Sequence, residues 1–227
     1  MIKVFLIVIS FCSLLFSSSQ ILLVVADDFN ASKAQLRAYE DDKLVFKNID
    51  VNLGKNGLGW GLGIITIPHK SDEPIKIEGD KKAPAGIFKL GSAFGYEKNL
   101  SLNLPYLYAD ENLICVDDSD SNYYNRFLNF KDGVKSFEYM KRKDNQYKYG
   151  IVVLHNNEQL KKRGSCIFIH IEKAKDAPTV GCTSMNENKL LKVMKWLDKD
   201  KNPILIQVPK VYLEEVYKLY PELKEDY

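Results

Sequence analysis

Short apolar or alternating segments follow one another from Gln20 to about Ile171, and no long helical pattern separates them. Strands are predicted at Ile21–Val25, Lys43–Phe46, Ile49–Leu53, Ile64–Ile67, Ile75–Glu78, Ile87–Leu90, Tyr147–Leu154 and Cys166–Ile171. Turn-forming Asp, Asn and Gly residues lie between these segments, as is typical of β proteins. Strands this closely spaced favour antiparallel and mixed sheets packed as a sandwich or an open barrel.

The last third of the chain changes to helical patterns. A helix from Asn186 to Asp198 is predicted, because Asn is a good N-cap residue and apolar side chains recur at helical spacing after it. Those side chains are Leu190, Val193, Met194 and Leu197. A strand at Ile204–Val208 follows, and then a second helical stripe of Leu213, Val216, Tyr217 and Tyr220 that ends at Pro221. The predicted fold is therefore α+β, mainly β with C-terminal helices, as a mixed β-sandwich or open barrel.

The size and charge of the chain limit its class. It has 227 residues, of which 45% are hydrophobic and 11% aromatic, as expected for one folded domain with a sizeable core. Lys and Arg total 32 against 30 acidic residues, a formal charge of +2, and no basic block is longer than Lys161–Arg163. This balance does not favour a nucleic-acid partner.

The N-terminus has the pattern of a signal peptide. Lys3 is followed by an apolar run that reaches Phe16, and small residues precede a cut after Ser19. We therefore predict a signal peptide at 1–19, export to the periplasm or cell envelope, and a single domain at 20–227. The alternative is an uncleaved anchor that continues through Ile21–Val25, but the polar residues Ser17–Gln20 interrupt the run before the ~20 residues that a membrane span needs.

Three cysteines remain after the predicted cleavage, namely Cys115, Cys166 and Cys182. An odd number in an exported protein leaves at least one thiol free or paired with another molecule. One possibility is a Cys115–Cys166 disulfide that leaves Cys182 available. The other is three separate thiols, with Cys166 buried. The sequence does not choose between them, because it does not give the distance that a disulfide requires.

A histidine and a cysteine lie close together in the most informative part of the chain. The apolar segment Cys166–Ile169 leads to His170, and a polar loop then leads to Gly181 and Cys182. A cysteine attacks as thiolate, so it needs a nearby base or a positive environment. Glycine permits a tight turn, and neighbouring N–H groups can face a developing oxyanion. If the predicted helix follows closely, its N-terminus would also lower the pKa of the thiol. The alternatives are a small buried cysteine and a structural histidine.

The pattern around these residues resembles the YkuD-type L,D-transpeptidases of peptidoglycan metabolism. That family has a histidine on a strand, a loop, and then Ser/Thr-x-Gly-Cys, which Ile169-His170 and Thr179-Val180-Gly181-Cys182 match. The segments Leu53–Trp60, Pro84–Phe88, Cys115–Asp118 and Tyr123–Asn125 are similar to a divergent bacterial branch. Two features depart from the pattern: the loop from histidine to cysteine is short, and Ser184 occupies a position where Arg or Asn is usual.

The resemblance implies a role for each reactive group. Cys182 would be the nucleophile and His170 the general base, and the N–H groups of Gly181, Cys182 and Thr183 would hold the oxyanion. Substrate-binding residues are expected at Thr179, His155, Asn156, Tyr124 and Trp60. For His155 a surface position, and for Trp60 a core position, are the alternatives. No cofactor is expected, and the scattered histidines do not form a metal site.

The expected substrate is a peptidoglycan stem peptide, and the expected oligomeric state is a monomer. Cys182 would attack the carbonyl of the diamino-acid residue at position three of a tetrapeptide and release the terminal D-alanine. An amine acceptor would make the protein an L,D-transpeptidase, whereas water would make it an L,D-carboxypeptidase. A third possibility is a non-catalytic cell-wall-binding domain. A papain-like enzyme is disfavoured, because its cysteine precedes its histidine in the chain.

Overall fold

The computed structural model describes residues 20–130 and 133–224. The predicted signal peptide, residues 1–19, lies outside the described residues, so its cleavage stays a prediction. Within the described part of the chain, no helix is both long enough and apolar enough to cross a membrane.

Strands dominate the structure, and the helices lie near the C-terminus. The strands are β1 (Gln20–Ala26), β2 (Lys33–Glu40), β3 (Lys43–Asn52), β4 (Leu58–Trp60), β5 (Ala83–Gly95), β6 (Tyr106–Tyr108), β7 (Leu113–Val116), β8 (Phe127–Asn129), β9 (Phe137–Tyr139), β10 (Tyr149–Val153), β11 (Phe168–Ile171), β12 (Thr183–Met185) and β13 (Ile204–Pro209). The helices are α1 (Glu187–Trp196) and α2 (Leu213–Leu219), and short 3-10 turns follow at Lys199–Lys201, Lys210–Tyr212 and Pro221–Leu223.

Most strands belong to one barrel-like sheet. Its order is β10-β11-β12-β3-β2-β1-β13-β5-β4. Because β10 also pairs with β5, all strands of this order except β4 form a closed ring. The pairs β1–β13 and β11–β12 are parallel, and the other pairs around the ring are antiparallel. Strands β7, β8 and β9 form a separate small sheet. The prediction of a mainly β fold with C-terminal helices is confirmed.

The burial of each strand follows from its sequence. Every residue of the apolar β1 is buried, so this strand is covered on both faces. In β2, exposed Lys33 and Gln35 alternate with buried Ala34 and Leu36, as expected for a strand with one solvated face. The predicted helix is present as α1, where the Asn186 side chain accepts a hydrogen bond from the Asn188 N–H at 3.1 Å. Leu190, Val193 and Met194 are its buried face.

Several strand predictions need correction. Lys43–Phe46 and Ile49–Leu53 belong to one strand, β3, and β2 was not predicted. Ile64–Ile67 and Ile75–Glu78 contain only isolated bridges, at Ile65 and Ile75. Apolar side chains in both segments are exposed, with 43% for Ile64 and 51% for Ile77. Pro68 and Pro74 flank these segments and lack the N–H that a strand ladder uses.

A buried glutamine joins strands across the inside of the ring. The Gln207 amide of β13 donates to the Pro84 carbonyl of β5 at 2.8 Å and accepts from the Thr183 hydroxyl of β12 at 2.7 Å. Strands β12 and β13 are not neighbours in the sheet, so the second bond crosses the interior. Thr183 therefore points into the ring, and the residues on either side of it point outward.

We expect Gln207→Leu to lower the free energy of unfolding by about 2–4 kcal/mol, because it leaves the Thr183 hydroxyl and the Pro84 carbonyl buried without this partner. Thr183→Val alone should cost about 1–2 kcal/mol. The double variant should lose less than the sum, since each replacement removes the same bond. Urea denaturation of the three variants measures this, and strictly additive losses would contradict the shared bond.

Candidate functional site

The parallel pair β11–β12 brings His170 and Cys182 to the same face of the sheet. Its register places His170 opposite Ser184 and Ile169 opposite Thr183. Ile169 packs in the core of the ring, whereas Phe168 and Cys182 pack in a second apolar cluster on the outer side. His170, Cys182 and Ser184 line one outer cavity of about 260 Å³, which we call the histidine-side cavity.

The sulfur of Cys182 is almost fully enclosed. Its side chain is 4% exposed, and Sγ accepts from the Phe168 N–H at 3.4 Å and donates to the Cys166 carbonyl at 3.6 Å. Burial raises the pKa of the Cys182 thiol to about 12, and the nearby Glu138 carboxylate contributes in the same direction. The expected lowering by a helix N-terminus is wrong, because β12 separates Cys182 from α1. The resting cysteine is therefore a neutral thiol.

His170 is a buried, neutral base. Its Nδ1 lies 2.8 Å from the Ile171 carbonyl, which can only accept, so Nδ1 carries the proton and Nε2 keeps a lone pair. Burial lowers the pKa of His170 to about 4. The Tyr147 ring contacts the imidazole edge-on, with 5.2 Å between ring centroids. At neutral pH the site therefore contains a thiol and an unprotonated imidazole rather than an ion pair.

A disulfide supports the wall behind the sulfur. Cys115 of β7 is bonded to Cys166, with their Cα atoms 6.0 Å apart, and Cys182 is free. This resolves the alternatives left open by the sequence. The Cys166 backbone has a positive φ of 53°, and its N–H donates to the Asn125 side chain at 2.9 Å. The disulfide and this hydrogen bond together hold in place the Cys166 carbonyl, which accepts the hydrogen bond from the Cys182 thiol.

The loop before Cys182 is ordered by one threonine. The Thr179 hydroxyl donates to the Cys182 carbonyl at 2.6 Å and accepts from the Gly181 N–H at 3.1 Å. Gly181 has a φ of 148°, a backbone conformation that residues other than glycine rarely adopt. The Ser/Thr-x-Gly-Cys pattern thus has a local physical reason, since the hydroxyl closes a turn that glycine makes possible.

Comparison with known families gives a direct answer. The family model described as the L,D-transpeptidase catalytic domain, YkuD, matches residues 24–208, which include the end of β1, His170, Cys182 and nearly all of β13. The chain belongs to the L,D-transpeptidase family. Membership supports a role in the peptidoglycan cell wall, and it agrees with the resemblance seen in the sequence.

Comparison with solved structures gives the helical cell shape determining protein Pgp2 from Campylobacter jejuni, at 16% sequence identity and a TM-score of 0.38. The match covers 83% of this chain and 48% of Pgp2, so the chain spans about half the length of that protein. Comparison with curated proteins gives no match.

The substrate-binding residues predicted for this L,D-transpeptidase domain are not all near the thiol. Thr179 lines the histidine-side cavity. Trp60 is 4% exposed and belongs to the core, where its ring packs edge-on against Phe29 and Tyr212 and stacks on the exposed His69. The structure therefore gives Trp60 a packing position.

His155 and Asn156 are also interior residues. In His155, Nδ1 accepts from the Leu62 N–H at 3.2 Å and Nε2 donates to the Arg163 carbonyl at 2.8 Å, and burial lowers its pKa to about 4. The Asn156 amide donates to the carbonyls of Leu160 and Gly164 at 2.9 and 3.0 Å. Both residues are 1% exposed, and neither lines a cavity with Cys182.

A second cavity of about 210 Å³ meets Cys182 on its other side, and we call it the acidic cavity. Three carboxylates line it, those of Glu78, Asp117 and Glu138. Tyr124, which was predicted to bind substrate, donates its hydroxyl to Glu78 and so supports this wall. Sequence reasoning missed all three carboxylates as site residues, because they come from separate loops and a short strand.

The histidine-side cavity contains further residues that the sequence did not indicate. Arg142 forms an ion pair with Asp144 at 2.6 Å and lies over the Tyr147 ring at 5.0 Å. Lys173 is exposed at the rim. The Ser184 side chain is 1% exposed, and its hydroxyl has no hydrogen-bond partner among the described residues.

We expect the protein to lose stability as the pH falls from about 6.5 to 4. His155 and His170 have a pKa of about 4 in the folded chain, against 6.5 for an exposed histidine, so the unfolded chain binds protons first. Each histidine contributes on the order of 3 kcal/mol above pH 6.5, and that contribution disappears toward pH 4.

Urea midpoints measured between pH 7 and 4 test this expectation. His155→Gln, which can replace both hydrogen bonds in part, should show a shallower loss than the wild type over the same range. Equal slopes in both proteins would contradict the assignment to buried neutral histidine.

Proposed function

We propose that the protein is an exported L,D-transpeptidase that forms a thioester on Cys182 with peptidoglycan stem peptides. The observation that carries the proposal is that the His170 imidazole and the Cys182 thiol line one outer cavity. The only atom of the imidazole left with a lone pair is Nε2, which is the atom that a general base requires.

The first half of the reaction is acyl transfer to sulfur. Nε2 of His170 takes the thiol proton as Sγ attacks the carbonyl of the third stem residue, so a free thiolate is not needed in the resting site. The Cys182 N–H, which follows the glycine turn, would hold the oxyanion. The Gly181 N–H already donates to Thr179, so its predicted part in the oxyanion hole requires that bond to open. When the intermediate collapses, the departing D-alanine amine receives the proton from His170.

The second half transfers the acyl group to an acceptor. An acceptor amine attacks the thioester, gives its proton to His170 and releases the Cys182 thiol, which yields a crosslink. With water as acceptor, the same steps yield a tripeptide. The family's role in the cell wall favours a stem peptide as the acyl donor.

Two features support export. The Cys115–Cys166 bridge belongs to the kind of bond that persists in oxidising compartments. Peptidoglycan also lies outside the cytoplasm, where the predicted signal peptide would deliver the domain.

Incubating the purified protein with tetrapeptide muropeptides, followed by mass spectrometry, tests the function. Crosslinked dimers indicate transfer, and tripeptides indicate hydrolysis. Cys182→Ala should abolish both products, and His170→Ala should lower the rate by about 10²–10⁴-fold because the general base is lost. The exposed His69→Gln serves as the control and should retain activity. Unchanged substrate with a correctly folded wild type would favour the wall-binding alternative.

The pH dependence distinguishes general-base catalysis from a resting ion pair. We expect kcat/KM to rise as His170 loses its proton around pH 4 and then to stay level through pH 9, because the thiol pKa is about 12. An ion pair would instead lose activity when its imidazolium deprotonates between pH 7 and 9. Initial rates from pH 4 to 9 measure the profile, with folding at each pH checked by circular dichroism.

A further inference from the structure

Cys182 lies where the histidine-side cavity and the acidic cavity meet. It lines both, and the two cavities share only Val180 besides. A peptide whose carbonyl reaches the sulfur can therefore extend into a cavity on either side. The two cavities differ in their charges and in the polar groups that they leave without partners.

The histidine-side cavity offers a cation and a free hydroxyl. Arg142 and Asp144 neutralise each other, so Lys173 supplies the net positive charge, and no ion pair of Lys173 is found among the described residues. Ser184 is buried and its Oγ has no partner in that part of the chain. Burying a hydroxyl without a partner is unfavourable, and a bound acceptor group would remove that cost.

The acidic cavity has the opposite character. The Glu78 carboxylate accepts from Tyr124 and Ser165, and the Glu138 carboxylate accepts from Tyr147. Asp117 Oδ1 is shielded from solvent and has no partner among the described residues. These carboxylates are not arranged with metal-binding spacing in the described chain.

Lysines near the acidic cavity do not cancel its charge. Lys76 is paired with Asp80 at 2.5 Å, and Lys81 is exposed at the rim. Three carboxylates therefore face one unpaired lysine in this lining. The cavity fits an organic cation.

The reaction itself decides which part of the substrate enters each cavity. The amine of the leaving residue takes its proton from His170, so the leaving residue must lie on the histidine side. Its carboxylate is one carbon away from that amine and therefore falls near Lys173 and Ser184. The residue under attack must then extend toward the acidic cavity, and a diamino acid carries an amine at the end of its side chain.

We propose that the stem peptide binds across Cys182 in one direction, with the carboxylate of the leaving residue beside Lys173 and Ser184 and an alkylammonium group among Glu78, Asp117 and Glu138. This rests on the proposed function. The ammonium belongs to the side chain of the attacked residue. The acceptor amine has the same chemistry, and the experiment separates the two sources.

The acidic cavity also has a consequence for the sulfur. The Glu138 carboxylate raises the pKa of the Cys182 thiol, and its own pKa is raised by burial and by Asp117. A cation bound in the acidic cavity would offset the negative charge of Glu138 and make transfer of the thiol proton to His170 easier. Substrate binding on one side of the sulfur thus favours attack by it.

Kinetics with matched stem peptides test the direction. A tetrapeptide whose third residue lacks the side-chain amine should show a KM about tenfold higher than its parent, as expected for one charge-assisted hydrogen bond. Asp117→Asn should reduce this difference to less than threefold, whereas the exposed Asp120→Asn should preserve it.

A tetrapeptide whose C-terminal carboxylate is replaced by an amide tests the other side. Its KM should exceed that of its parent in the wild type and in Lys175→Gln, and this difference should be much smaller in Lys173→Gln.

The two sources of the ammonium give different kinetics. If the donor side chain occupies the acidic cavity, Asp117→Asn raises the KM for release of D-alanine without any acceptor present. If only the dependence on acceptor concentration changes, the ammonium is that of the acceptor and the direction assigned to the donor is wrong.

Thiol modification tests the same charges without turnover. Cys182 should react faster with 2-aminoethyl methanethiosulfonate in the wild type than in Asp117→Asn, and faster with the 2-sulfonatoethyl reagent in the wild type than in Lys173→Gln. Asp117→Asn should leave the rate with the sulfonatoethyl reagent within twofold of the wild-type rate, and Lys173→Gln should do the same for the aminoethyl reagent. This selectivity without muropeptide turnover would refute the proposed function but retain the sided charges. Equal effects of both variants on both reagents would overturn the inference.

Discussion

The parallel pairing of β11 with β12 is the constraint on which the site depends. It sets His170 opposite Ser184 and turns Thr183 into the ring, where its hydroxyl reaches Gln207 across the interior. A shift of one residue in this register would exchange the two faces and bury the thiol inside the barrel-like sheet. The large apolar core inside the ring, together with the Gln207 bonds, makes that exchange costly, so the fold holds the His170 and Cys182 side chains on the outside.

Burial determines the chemistry of those groups. Desolvation disfavours both charged forms, so the thiol keeps its proton and the imidazole does not take one. In the proposed reaction, the Cys182 thiol would therefore lose its proton to His170 only as its sulfur attacks a substrate carbonyl. A site of this kind protects its sulfur from adventitious reaction, because reactive thiols are those with a lowered pKa and good access.

The sequence predicted those parts of the structure that rest on local patterns. The apolar run before His170 and the Asn186 cap were sufficient for β11 and α1, and the short Thr-x-Gly-Cys motif identified the loop that Thr179 closes. It failed where tertiary context decides. Ile64 and Ile65 are apolar yet exposed, and His155 is polar yet buried. The three carboxylates of the acidic cavity meet only because β7, β9 and the loop after β4 converge. The spacing of these residues along the chain does not indicate that they lie together in the fold.

The disulfide between Cys115 and Cys166 links the oxidation state of the chain to the surroundings of the Cys182 thiol. The carbonyl that receives the thiol hydrogen belongs to Cys166, whose backbone is held in a left-handed conformation beside Asn125. Until those two sulfurs are oxidised, nothing covalent ties the small β7–β9 sheet to the segment that precedes the histidine strand. In the proposed route of export, the oxidising compartment would therefore complete the wall behind the Cys182 sulfur, because disulfides form there and rarely in the cytosol.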